Sequence, residues 1–201
     1  MTSSKKIVLF TTFSSADAAY SLNRVVQDQI KMFLHNGYED IRVIVAEGFE
    51  PTEMYSEVKL VYVPNVPVYN EVKKDESFSE DVDMILDVLE KEIADVDVVL
   101  SHDVVYQPAC LKHNFAARRF AQNHPNIRWL HWIHSATSPY TLQNLMGMFE
   151  DEYLDLVRKE FPNSFYIYFN HYSIPRIAHN FGVSEERVRI VHHPLDVCGF
   201  W

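Results

Sequence analysis

The chain has 201 residues, 47% of them apolar and 23% charged, with a formal net charge of −10. That length suffices for one domain whose core needs no disulfide or metal staple. The acidic balance lacks the clustered Lys and Arg that phosphate neutralisation demands, which argues against a nucleic-acid binder and against tight docking on anionic lipid.

Cys110 and Cys198 belong to no CxxC pair, and two isolated cysteines suit a reducing, cytoplasmic setting. At the start, Lys5-Lys6 precede an apolar run of only Ile7 to Phe10, too short for a signal sequence. No stretch approaches the ~18–20 apolar residues of a membrane span, so no stable membrane insertion is expected.

The elements follow in chain order. Ile7–Phe10 is uniformly apolar, as a central parallel strand requires. A polar loop follows. Leu22, Val25, Val26, Ile30, Phe33 and Leu34 then recur at helical spacing, and Gly37 supplies the stop. Residues 41–45 and 59–63 read as the second and third strands, the latter closed by Pro64. Residues 65–77 read as a surface loop. Ser77-x-x-Glu80 has the form of a capping box before a helix carrying Val82, Ile85, Leu86, Leu89 and Ile93. Residues 97–100 form a fourth strand, with Ser101-His102-Asp103 beyond it. Pro108 opens a helix to about Asn123. Residues 127–133 are a fifth strand ending at His134-Ser135. A helix is predicted over 142–159, a sixth strand over 164–169, a helix over 173–181 stopped by Gly182, and a last strand over 188–191.

Strands alternating with helices imply right-handed βαβ units, hence an α/β, Rossmann-like, doubly wound, mostly parallel sheet of about seven strands. Ligands in such sheets sit beyond the carboxyl ends of the strands. That rule selects the loops at 11–19, 101–106, 134–140 and 170–173. No GxGxxG, no P-loop and no GxSxG elbow is present, which removes the commonest cofactor-binding and hydrolase signatures of this fold class.

Ten histidines raise the question of a metal. His131 and His134 lie three apart, so along a strand they face opposite sides and cannot chelate one ion; the adjacent His192 and His193 have the same difficulty, and no metal is expected. His134 closes the fifth strand. It reads either as a buried structural histidine or as a site histidine that hydrogen-bonds a hydroxyl. His102-Asp103 is a parallel case, with Asp103 as a helix cap for the alternative. Asn170-His171 follow the sixth strand, where Ser173 is placed as the helix cap. Trp129, Trp132, Tyr166, Tyr168 and Phe169 read as core or sheet-face aromatics.

The last third carries a resemblance. Tyr166-Ile-Tyr-Phe-Asn170, a helix ending at Phe181-Gly-Val183, and Ser184-Glu-Glu-Arg-Val-Arg-Ile-Val-His-His-Pro-Leu-Asp196 are similar to the closing stretch of the N-terminal domains of family-4-type GT-B glycosyltransferases. Ser101-His-Asp103 and Trp132-Ile-His134 look like that family's loops after strands four and five. The resemblance implies one half of a GT-B fold, with residues 1–192 as the acceptor-side domain and 193–201 as the start of an interdomain linker. The donor-binding domain would then be supplied in cis or in trans, and this chain would be inactive alone.

The implied reaction is hexosyl transfer from a UDP- or GDP-sugar co-substrate to an acceptor glycan or small hydroxylated acceptor, with no cofactor held by this chain. The resemblance assigns His134 the catalytic position. It places Thr12, Phe13, Ser14, His102, Asp103, Ser135, Asn170 and His171 around the acceptor. The loop after the first strand departs from the family's glycine-rich form, reading Thr11-Thr-Phe-Ser-Ser15. That departure favours an alternative: a non-catalytic glycan- or nucleotide-binding accessory module of the same fold. A hydrolase using His134 with Asp103 is a further rival.

Overall fold

The computed structural model describes residues 5–16, 21–64, 76–137, 155 and 158–194. The predicted loop at 65–77 and helix at 142–159 fall largely outside them. Seven strands form one sheet in the order β3-β2-β1-β4-β5-β6-β7. They are β1 (Ile7–Phe10), β2 (Ile41–Ala46), β3 (Lys59–Val63), β4 (Val98–His102), β5 (Arg128–Trp132), β6 (Ser164–Tyr168) and β7 (Val188–Ile190). Every pairing is parallel. The helices are α1 (Ser21–His35), α2 (Phe78–Ile93), α3 (Leu111–Asn123) and α4 (Ile174–Phe181).

The strand order explains the layering. From β1 the chain winds one way to β2 and β3, then returns past β1 and winds the other way. Right-handed crossovers moving in opposite directions place their helices on opposite faces. α1 therefore packs Val26 and Ile30 on Ile7, Leu9, Val43 and Val45. On the other face α2, α3 and α4 pack Ile85, Leu89, Phe120, Ile177 and Phe181 against Val8, Phe10, Ile44 and Trp129. Alternate residues of each central strand thus enter different cores, which is why β1 is apolar throughout, β2 is apolar but for the ion-paired Arg42, and both are buried throughout.

The larger core is aromatic. Trp129 is fully buried, with ring centroids of Phe10 at 6.5 Å, Phe120 at 6.3 Å and Phe161 at 4.8 Å. Buried Arg118 of α3 crosses over Phe161 and donates to the carbonyls of Lys159 and Glu160, so it fastens the approach to β6. The α1 face is covered only in part. Beside α1, a groove of about 370 Å³ runs over β4 to β6, lined by residues that include Phe33, Leu100, Leu130, Trp132 and Ile167.

Three local expectations are corrected. The Ser77 side chain does not cap α2; its hydroxyl donates to Asp81 Oδ2 at 2.9 Å, because Ser77 itself is in a helical conformation. Ser173 stands at the start of α4 without a side-chain cap bond, and Asn170 accepts from Tyr172 N instead, capping the 3₁₀ turn before it. Asp103 caps no helix, for Gln107 holds that position before the turn at Pro108–Cys110. Gly37 and Gly182 do end α1 and α4 with positive φ, as read from the sequence. No helix of the described residues is long and apolar enough to cross a membrane.

Candidate functional site

The strand order reverses between β1 and β4, so the crevice beyond their carboxyl ends is where a doubly wound sheet accommodates a ligand. The loops that border it were expected to supply the site. β4 runs two residues further than the sequence indicated and takes in Ser101 and His102. Strand alternation then sends these neighbours to opposite faces. Ser101 Oγ meets His131 Nδ1 at 2.7 Å on the α3 side, whereas His102 turns to the α1 side. His131 and His134 diverge in the same way.

His102 is the hub. Its Nε2 lies 2.9 Å from Gln29 Oε1 of α1, and its Nδ1 lies 3.1 Å from His134 Nε2. Its ring stacks over Trp132 at 6.0 Å with planes 16° apart. Burial drives its pKa well below the ordinary histidine value, and the neighbouring His134 and His193 push it further down. His102 is 1% exposed, so it can reach a ligand only through His134.

His134 is half-buried just past β5. Burial, with a contribution from His193, lowers its pKa to about 4, so it is neutral at physiological pH. His193, beyond β7, lies parallel to it with ring centroids 5.7 Å apart and planes 5° apart. His193 also meets Trp132 at 5.6 Å and Phe169 at 5.9 Å. Rings that face one another in this way do not converge their nitrogens on one point. Among the described residues no group of three His, Cys, Asp or Glu side chains could hold a metal ion.

Asp103 adopts φ 60, the left-handed conformation that Asp tolerates better than most residues. Its carbonyl accepts from Tyr106 N and Gln107 N, closing a tight turn that aims the side chain back under the loop after β5. The His134 backbone N–H donates to the Asp103 carboxylate, while Asp103 Oδ1 is buried without a partner among the described residues. Burial outweighs that single hydrogen bond and raises the carboxyl pKa to about 7. A group poised near neutrality beside a neutral histidine is suited to exchanging a proton with a hydroxyl.

A stability test follows from the same burial. The folded pKa of Asp103 lies above its unfolded value, so the folded protein loses stability as pH rises from about 4 to about 7. Asp103→Asn keeps an acceptor and tolerates the left-handed backbone. We expect it to stabilise the fold by about 1–3 kcal/mol at pH 8 and by less at pH 6. Urea midpoints at the two pH values check this; an equal or negative effect at pH 8 would mean that the carboxylate is solvated.

The other expected residues divide. Ser135 accepts from Thr137 N at 3.2 Å and engages Tyr106, whose hydroxyl also donates to the Thr137 carbonyl. Ser135 therefore shapes the same loop that carries His134. Thr12 is buried just past β1, its hydroxyl 3.6 Å from Cys110 Sγ. Burial pushes that thiol up to about 12, which makes it unreactive. Phe13 lies in the α1-side core and Ser14 is exposed. Asn170 is occupied as a cap, and exposed His171 rests on Tyr172 with ring centroids 3.9 Å apart. Neither joins the histidine cluster.

Sequence reasoning missed Gln29, Trp132 and His193 as members. Gln29 sits at a helix position where its periodicity reads only as polar, yet it is 0% exposed. A polar residue inside an apolar helical stripe is the one signal that pointed to it.

No protein-family model matches the chain, and no curated protein sequence matches it. Among the solved structures that match its architecture are two glycosyltransferases. One is lipopolysaccharide outer core galactosyltransferase WaaB in its apo form, with TM-score 0.59 and 14% identity over 96% of this chain and 46% of that one. The fold is that of a GT-B glycosyltransferase domain. The other is WaaG, a glycosyltransferase involved in lipopolysaccharide biosynthesis, with TM-score 0.54 and 12% identity over 92% of this chain and 44% of that one. The chain thus spans less than half the length of either structure. At such identities the likeness lies in the fold, and the chemistry rests on the side chains described above.

Proposed function

We propose that this chain is the acceptor-side half of a cytoplasmic glycosyltransferase that moves a hexosyl group from a UDP- or GDP-sugar to a hydroxyl of a glycan or small acceptor. The observation that carries the reading is the cluster of neutral His134, its partner His102 and the poised Asp103, gathered at the carboxyl edge of β4 and β5. A neutral imidazole can orient an attacking hydroxyl and accept its hydrogen bond, and a carboxyl titrating near 7 can take up the proton released. The GT-B fold supports the assignment of reaction class. The solved relatives are more than twice as long as the match, which supports a requirement for a donor-binding domain in cis or in trans, residues 193–201 being the start of the link to it.

The loop after β1 supports a second reading. Thr11 N donates to the Ile44 carbonyl and Phe13 N to Thr11 Oγ1. Those amides turn inward rather than toward a phosphate, as a non-catalytic glycan- or nucleotide-binding module would permit.

The test is transfer from UDP- or GDP-hexose to hydroxylated acceptors by the domain joined to its donor half. His134→Ala is expected to lower the rate at least about 100-fold. Wild-type-like transfer by that variant would remove His134 from the mechanism. No transfer by the joined wild type, together with saturable glycan binding, would establish the accessory module.

A further inference from the structure

His102 and His134 share one hydrogen bond, and Gln29 makes the next one. The direction of each bond follows from what its atoms can do. The Gln29 amide oxygen facing His102 Nε2 can only accept. His102 must therefore carry its proton on Nε2, which leaves Nδ1 with a lone pair. That lone pair needs a donor, and His134 Nε2 supplies it. The single proton of neutral His134 is then committed to Nε2, and its Nδ1 is left as an acceptor.

We propose that Gln29 is a positioning residue that fixes the tautomer of His134, so that His134 offers a ligand a hydrogen-bond acceptor and selects a hydroxyl donor. Three observations make the device specific. Gln29 and His102 are buried at 0% and 1% exposure, so water does not compete for the bonds. One face of the His134 ring is covered by His193, stacked at 5.7 Å, and its Nε2 edge by His102, which leaves the Nδ1 edge for recognition. Among the described residues nothing hydrogen-bonds His134 Nδ1. Both imidazoles are held neutral by burial, so each carries one ring proton and the chain of bonds has a single polarity. Turning the Gln29 amide would reverse that polarity and make His134 Nδ1 a donor. The relevant choice is thus made on α1, one residue removed from the ring that meets the ligand.

The inference rests on the site reading above, but its test does not need sugar transfer. Two-bond ¹H–¹⁵N spectra of the ¹⁵N-histidine-labelled chain report the protonated nitrogen of each ring. Both His102 and His134 are expected in the Nε2–H form. A Nδ1–H form at either ring would overturn the proposal. Gln29→Met keeps length and helix propensity while removing the amide. It is expected to replace the single form of His134 by a mixture, and a single Nε2–H form persisting in that variant would show that Gln29 is not the determinant. In the joined enzyme the same variant is expected to lower kcat at least about tenfold with KM little changed. Correct tautomers with no sugar transfer by the joined wild type would sink the glycosyltransferase reading alone, whereas wrong tautomers with transfer lost on His134→Ala would sink this proposal alone.

Discussion

Lowering the pH from about 7.5 to about 5.5 is expected to cost this protein a large part of its stability. Four buried imidazoles are responsible. Burial is the leading cause at each: it lowers His113 and His134 to about 4 and holds His102 and His131 well below the ordinary value. Unfolded, each of these rings takes up a proton as pH falls through about 6.5; folded, it does not. Stability present above about 6.5 is therefore lost as pH falls toward the folded values. Asp103 acts in the opposite sense, because its raised pKa lets the folded state keep a proton between about 4 and 7. Four imidazoles against one carboxyl leave a net difference of about three protons. At about 1.4 kcal/mol per proton per pH unit, stability falls by roughly 4 kcal/mol for each pH unit below about 6. Total stabilities are about 5–15 kcal/mol, so unfolding near pH 5 is the expected result. Urea midpoints followed by circular dichroism at pH 7.5, 6.5 and 5.5 measure it. A midpoint unchanged or higher at pH 5.5 would mean that the rings are hydrated or charged in the folded protein. The cost of keeping them inside is visible in the structure: both nitrogens of His113 and Nε2 of His131 lack partners among the described residues.

The second large effect belongs to Gly182. It closes α4 at φ 61, with its N–H directed to the last carbonyls of the helix and Val183 N bonded to the Ala178 carbonyl. A Cβ at this position would stand 2.1 Å from the Arg158 carbonyl oxygen. Gly182→Ala thus meets both the left-handed penalty of about 1–2 kcal/mol and a backbone collision that forces α4 off the approach to β6. The expected destabilisation is about 2–5 kcal/mol in all. Gly37→Ala is the internal control. Gly37 has φ 79 and nothing within 4 Å of an added Cβ, so it should lose only about 1–2 kcal/mol. Equal losses at the two sites would show that the Arg158 contact yields easily.

The sheet was legible because its signal is local. Short apolar runs such as Ile7–Phe10 and residues 60–63, helical spacing from Leu22 to Leu34, and Gly37 and Gly182 as stops each report on neighbouring residues only. Those signals determined the α/β class, the parallel sheet and the edge at which the candidate site was sought. They also determined that His131 and His134 diverge, since alternation along a strand is a property of the strand itself. The caps were less legible, because Ser77 and Ser173 can each bond a side chain or solvent as readily as the first backbone amides.

The candidate site was legible as a set of loops and not as a set of contacts. His134, His102 and Asp103 were identified by following β5 and β4 to their ends. Only the tertiary structure decided that His102 is sealed beneath Trp132 and His134, that His193 stacks on His134 from beyond β7, and that Gln29 of α1 sets the polarity of the pair. Each of these contacts joins residues between about 30 and 73 positions apart, a separation over which chain periodicity carries no register. The chain order determined which elements exist; the reversal of strand order between β1 and β4, and the burial it imposes on four imidazoles and one carboxyl, decided which of their side chains meet and which protonation states they hold.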